Sequence, residues 1–254
     1  MADTPRDATQ TVIDRPVLWP GTEERFAGYG IMGQPFDSGH LLALRHFPST
    51  TIGAGYCSVW HRNPQGQWTF YATSPPRRSC SRYFATAAKS AVRVPIGIDW
   101  EGPYALRVRI PDVLEWRMEL VSTGFTRLFN LLGRHVPRAV WRSDRLQAIV
   151  GRVVGPVLGA GQVRMSGIVP NGQHFAAGPR LMWLVGDSRA RLDGTDLGTP
   201  APLPRQQRLG DFWLPQRGVF VVANAAFEAF DPARHRSVPV SPAEGHPAHS
   251  IEEF

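Results

Sequence analysis

The chain has 254 residues, 43% of them hydrophobic and eight of them tryptophan. That composition excludes a disordered polypeptide and allows one large β domain or two small ones. Its formal charge of +7 rests on arginines, Lys89 being the one lysine, and they form no run of five or six, so no nucleic-acid partner is expected.

Met1 to Arg15 is polar, with no apolar h-region, and residues 1–20 are expected to be a loose leader with no secretory signal. The two cysteines, Cys57 and Cys80, are too few for a disulfide framework, so reduced thiols and a cytoplasmic location are the default expectation. A first β-rich half spans 21–122. Leu41–Phe47 reads as a strand, and Tyr56–Arg62 and Gln67–Thr73 as a hairpin turning at Asn63-Pro64-Gln65-Gly66. The clearest stretch is 92–120. Val92, Val94, Ile96, Ile98 and Trp100 alternate with other residues, then Leu106, Val108 and Ile110, then Leu114, Trp116, Met118 and Leu120. A period of two puts these apolar side chains on one face and the charges on the other.

The period then changes. A helical piece is expected over Arg127–His135. The spacing of Leu146, Ile149, Val150, Val153, Val154 and Val157 makes one stripe of a second helix, with Ser143 as N-cap and Gly155-Pro156 as the stop. This connector, 123–160, either packs on a sheet or lies at a membrane surface through 140–158. A second β-rich half, 161–230, holds Val163–Val169 and Gln173–Phe175 around Asn171-Gly172, then Leu181–Val185, Arg189–Leu192 and Val219–Ala223. The Pro-, His-, Ser- and Glu-rich 231–254 reads as a mobile tail.

Register assigns faces. With a four-residue loop, His61 opposes Trp68 and Val59 opposes Phe70, giving a core face of Cys57, Val59, His61, Trp68 and Phe70. The other face then holds Tyr56, Trp60, Arg62 and Tyr71. These four, with Trp213 of the Asp211-Phe212-Trp213 cluster, are the candidate ligand-binding residues, because rings combined with hydroxyls suit small-molecule pockets. In the meander an odd-length loop at Pro111–Val113 pairs Val108 with Trp116 and Arg109 with Glu115, and the charges form either a solvated ladder or a barrel lining. No phosphate loop, dinucleotide fingerprint, nucleophile elbow or zinc-helix motif is present, and no cofactor or metal is expected. His40 and His46 share a face but lack a third ligand. The candidate catalytic groups are His61, as acid or base, and Asp99 and Glu101 beside Trp100, where an aromatic neighbour could raise a carboxyl's pKa.

The Trp60-His61-Arg62…Gly66-Gln67-Trp68 hairpin, Ile98-Asp99-Trp100-Glu101-Gly102-Pro103, Leu114-Glu115-Trp116 and Ser166-Gly167…Asn171-Gly172…Leu192-Asp193-Gly194 together resemble the lipocalin-like family of carotenoid 1,2-hydratase. The resemblance implies two lipocalin-like barrels, one of them reduced in so short a chain, and an apolar, isoprenoid-type ligand. The expected fold class is all-β, with antiparallel barrel or sheet halves joined by the helical connector. The expected function is binding an apolar small molecule in a β-barrel cavity, with or without acid-catalysed hydration, cyclisation or isomerisation of an alkene. A non-catalytic carrier and a membrane or interaction module are the alternatives. A carboxyl or histidine inside the cavity separates enzyme from carrier.

Overall fold

The computed structural model of the chain describes residues 4–135 and 143–237. Its first element is a helix, α1 (Pro5–Asp14), where a loose leader was expected. Thr4 and Asp7 form a reciprocal capping box and Pro5 supplies the preset φ of the first turn. The first β-rich half contributes β1 (Glu24–Pro35), β2 (Leu41–Thr50), β3 (Tyr56–Arg62), β4 (Trp68–Ala72), the short helix α2 (Ser81–Phe84), β5 (Ser90–Arg93), β6 (Gly97–Trp100), β7 (Ala105–Ile110) and β8 (Leu114–Val121). Helices α3 (Gly124–His135) and α4 (Asp144–Val157) follow, then β9 (Ser166–Ile168), β10 (His174–Leu192), β11 (Thr195–Asp196), β12 (Arg208–Leu209), β13 (Phe212–Trp213) and β14 (Val219–Phe227).

The fold is β-dominated, as the alternation predicts. Strands of both halves belong to one sheet, in the order β5-β4-β3-β2-β1-β14-β10-β8-β7-β6, so β14 and β10 of the second half lie between β1 and β8 of the first. Leu181–Val185 and Arg189–Leu192 are parts of a single strand, β10, bent by register shifts at Pro179/Leu181 and Val185/Asp187. The sheet curls into an open half-barrel. Curling brings Val59 of β3 and Val108 of β7, far apart in strand order, into one buried cluster with Ile31, Trp116, Trp183 and Phe220. Ala8 and Val12 of α1 pack on that cluster. Gly28 and Gly30 permit the close approach of β2: a Cβ at either position would lie 2.0 Å from a carbonyl oxygen of His46 or Leu44.

The meander has the expected register, Val108 opposite Trp116 and Arg109 opposite Glu115, with Asp112 at φ 59° in the turn. The earlier hairpin does not. Arg62 pairs with Trp68, Trp60 with Phe70 and Val59 with Tyr71, one residue out of the expected register. The reason lies in the turn: Gly66 N–H donates to the Asn63 carbonyl, Asn63 N–H to the Gln67 carbonyl, and Gly66 is left-handed at φ 85°. The loop thus has three residues, 64–66, closed by a glycine bulge instead of the expected four, and pairing Asn63 with Gln67 moves every later pair by one residue. Val169-Pro170-Asn171-Gly172-Gln173 repeats the Pro-x-Gly-Gln pattern and the same geometry: Gly172 bonds back to Val169, and Ile168 pairs with His174.

The second face of the sheet is covered over β1–β4, β14 and part of β10, and solvated over β7 and β8. Tyr83 and Phe84 of α2 and Leu203, Leu209 and Leu214 of the segment before β14 pack over β1–β4. Val154 of α4 and its C-cap Leu158 pack with Met182, Leu184, Val219 and Val221, and Phe125 and Phe129 of α3 join them. Part of the expected mobile tail is also packed: His235 is buried and Arg236 N–H donates to the Asn171 carbonyl. His246 and His249 lie outside the described residues.

Candidate functional site

Beneath this covering lies a small apolar space. One lobe, about 70 Å³, is walled by Phe26, Phe47, Tyr56, Trp60, Tyr83, Phe84, Phe175, Phe212 and Phe227, with Arg45 and Cys80. A second lobe, also about 70 Å³, lies between α4 and β10–β14 and takes in Val154, Leu158, Met182 and Trp213. Met32, Ala177, Phe212, Val221 and Ala223 line both lobes, so the two adjoin.

Strand alternation puts these side chains together. On β2, Leu42 and Leu44 face the half-barrel core, while Leu41, Ala43, Arg45 and Phe47 face the covered side. Trp60 is wedged among Phe70, Phe84 and Phe212, at ring-centroid distances of 5.0, 4.7 and 5.8 Å, and its indole N–H donates to Ser58 Oγ at 3.0 Å.

Arg45 dominates the electrostatics. It is 5% exposed. Its Nη1 donates to the carbonyls of Ile31 and Leu44, and Nη2 to that of Met32 at 3.3 Å. These are backbone groups at the irregularity of β1 between Ile31 and Gln34. The guanidinium lies 4.6 Å from the Trp60 ring and 5.7 Å from that of Phe212. Among the described residues no carboxylate pairs with it, and three bonds use three of its five N–H donors. Burial pushes its pKa down to about 10, so it remains a cation at neutral pH.

The other titratable groups along the first lobe are neutral donors. The Tyr56 hydroxyl is 3.1 Å from Cys80 Sγ, and burial raises the pKa of both groups. Tyr83 donates to Glu24 Oε2 at 2.6 Å, and burial together with that carboxylate raises its pKa. In the second lobe the buried Trp213 N–H has no hydrogen-bond partner. Among the described residues no Asp, Glu, His or Lys lines either lobe. Lys89, on the surface, donates to Gln67 Oε1.

The candidates from sequence fall into three places. Tyr56 and Trp60 line the first lobe and Trp213 the second. Tyr71 lies on the opposite face against the half-barrel core, moved there by the glycine bulge, and Arg62 caps the carbonyls of Gly39 and Asn63 at the hairpin end. The three candidate catalytic groups are away from the cavity. Asp99 is ion-paired with Arg109 at 2.6 Å, and Glu101 with Arg107 and Arg117 at 2.7 and 2.8 Å, on the outer charge ladder. His61 Nε2 sits 2.8 Å from His40 Nδ1 in a stacked pair; burial and then His40 push its pKa down to about 4. His46 does not join them: its Nδ1 is 2.7 Å from the Tyr29 hydroxyl. No group of three metal-binding side chains occurs among the described residues.

Sequence reasoning missed Arg45, Cys80, Tyr83, Phe84 and Phe175. For Arg45 a signal existed: Leu41–Phe47 is apolar at both alternating sets of positions up to Arg45, so a charge there must enter the protein or end the strand.

No family model matches the chain, that of the carotenoid 1,2-hydratases included, and no curated protein is similar to it. Among solved structures it is similar to an acetoacetate decarboxylase from Legionella pneumophila subsp. pneumophila str. Philadelphia 1. The likeness covers 87% of this chain and 88% of that one, with 10% sequence identity and a TM-score of 0.40.

Proposed function

We propose that the protein binds a small, largely apolar carboxylic acid, its carboxylate on Arg45 and its apolar body among Trp60, Phe84 and Phe212. The observation that carries this reading is a buried guanidinium, without an anionic partner, on the wall of an aromatic cavity. Buried charges are ordinarily paired. Carbonyl dipoles and ring faces share the Arg45 charge but do not neutralise it; an entering carboxylate would, using the two remaining N–H donors. The neutral phenols and thiol alongside add no competing negative charge.

Size supports a short ligand. An engineered cavity of about 150 Å³ holds benzene, and the two lobes of about 70 Å³ together approach that. A carotenoid-length chain does not fit this space. Binding or carriage is favoured over alkene hydration, because protonating an alkene needs a positioned acid and neither lobe offers a carboxyl or imidazole.

Trp60, stacked at Arg45, is a built-in reporter. Its fluorescence is to be titrated with benzoate, phenylacetate and isovalerate, and with the corresponding amides and methyl esters. The acids are expected to bind at least tenfold more tightly than their neutral analogues. Equal affinity for acid and amide, or no binding by either, overturns the assignment.

A further inference from the structure

Helices α3 and α4 both bury one side against the β10–β14 face, yet each carries an apolar stripe on its other side. On α3, Leu128, Leu131 and Leu132 are exposed, and on α4, Ile149, Val153 and Val157; exposure runs from 48% for Val153 to 60% for Leu131. The spacing is helical on both, i, i+3, i+4 and i, i+4, i+8. Six apolar residues exposed on two successive helices are not scattered surface hydrophobes. The stripe of 146–157 read from the sequence is thus divided, Val150 and Val154 facing the protein and Ile149, Val153 and Val157 facing out.

We propose that the outer face of α3 and α4 docks the protein on an anionic phospholipid bilayer. The charge selects this occupant. On α3 and α4 the arginines Arg127, Arg145 and Arg152 are exposed, and neither helix contains a glutamate. Arg145 and Arg152 are exposed and flank the Ile149–Val157 stripe one turn or less away. An apolar stripe bordered by arginines is the pattern of a helix lying in the interface, its apolar side among the acyl chains and its cations at the phosphates. Pairing this face with a second copy would set arginine against arginine. No described helix is long and apolar enough to cross a membrane, so the contact is peripheral. The proposal is independent of the ligand assignment, although α4 both presents this face and roofs the second lobe through Val154 and its C-cap Leu158.

The test is co-sedimentation of the full chain with vesicles of phosphatidylcholine alone and of phosphatidylcholine mixed with phosphatidylglycerol. Binding is expected only to the mixed vesicles, weakening as salt is raised. The double variant Arg145→Glu/Arg152→Glu should lose roughly twentyfold or more, at about fivefold per arginine near an anionic surface. Leu131→Glu/Val153→Glu should lose at least tenfold, with the parent's thermal midpoint kept because both side chains are exposed. Failure of the parent to bind anionic vesicles overturns the proposal. So does equal binding to both vesicle types, or a concentration-dependent dimer that these substitutions abolish in the absence of vesicle binding.

Discussion

Replacing Trp116 by alanine tests the half-barrel core directly. Trp116 is fully buried in the middle of β8, with Val108 opposite on β7 and Ala190 opposite on β10. Its indole N–H donates at 2.9 Å to Ser188 Oγ, a hydroxyl that is itself buried. Three hydrogen-bonded strands hold these neighbours, so the space left by the ring cannot collapse far. Truncating a buried Trp costs about 3–5 kcal/mol, and leaving the Ser188 hydroxyl unsatisfied adds about 1 kcal/mol or more. At roughly 2–4 °C per kcal/mol for a chain of this size, the midpoint should fall by about 8–24 °C. Differential scanning calorimetry measures it, with Trp116→Phe as control, which retains most of the volume and should lose less than half as much. A fall of only about 2 °C for Trp116→Ala would mean that the residue does not occupy a rigid core site.

Arg45→Met should bring the affinity for a carboxylic acid down to that for its amide, a loss of roughly tenfold to a hundredfold for a charge-assisted contact, measured by calorimetric titration; undiminished acid binding would refute the role given to the guanidinium. Gly28→Ala should destabilise by about 1–3 kcal/mol in urea denaturation because its Cβ would meet the His46 carbonyl, whereas Gly102→Ala, with nothing within 4 Å, should be silent. Stability should also fall on acidification. His61 has its folded pKa pushed down to about 4 from an ordinary 6.5, so between these values the unfolded chain binds the proton and the folded chain does not. Stability then rises from pH about 4 to 6.5 and levels off above, by on the order of 3 kcal/mol from this group. Urea midpoints at several pH values should show a flatter dependence for His61→Gln than for the parent; parallel curves would remove His61 from the account.

The sequence by itself determined what depends on neighbours along the chain. Alternation within Leu114–Leu120 determines which side of β8 is buried, because the pleat has a period of two whatever the strand pairs with. The odd-length turn at Pro111–Val113 settled its register with β7, and the change to a period of 3.6 located α4. Tertiary structure decided the rest. One left-handed glycine, Gly66, shifted the β3–β4 pairing by a residue and so placed Trp68 and Phe70 beside Trp60 and sent Tyr71 to the other core. β14 entered between β10 and β1, the latter about two hundred residues away in the chain, a pairing that no local pattern encodes. The cavity exists because α2, α4 and the segment before β14 cover a sheet face that alternation alone would leave to solvent. Arg45 became a candidate ligand-binding group through the same event: covering that face removed water from a cation on β2 and supplied carbonyls and rings, but no acid, in its place.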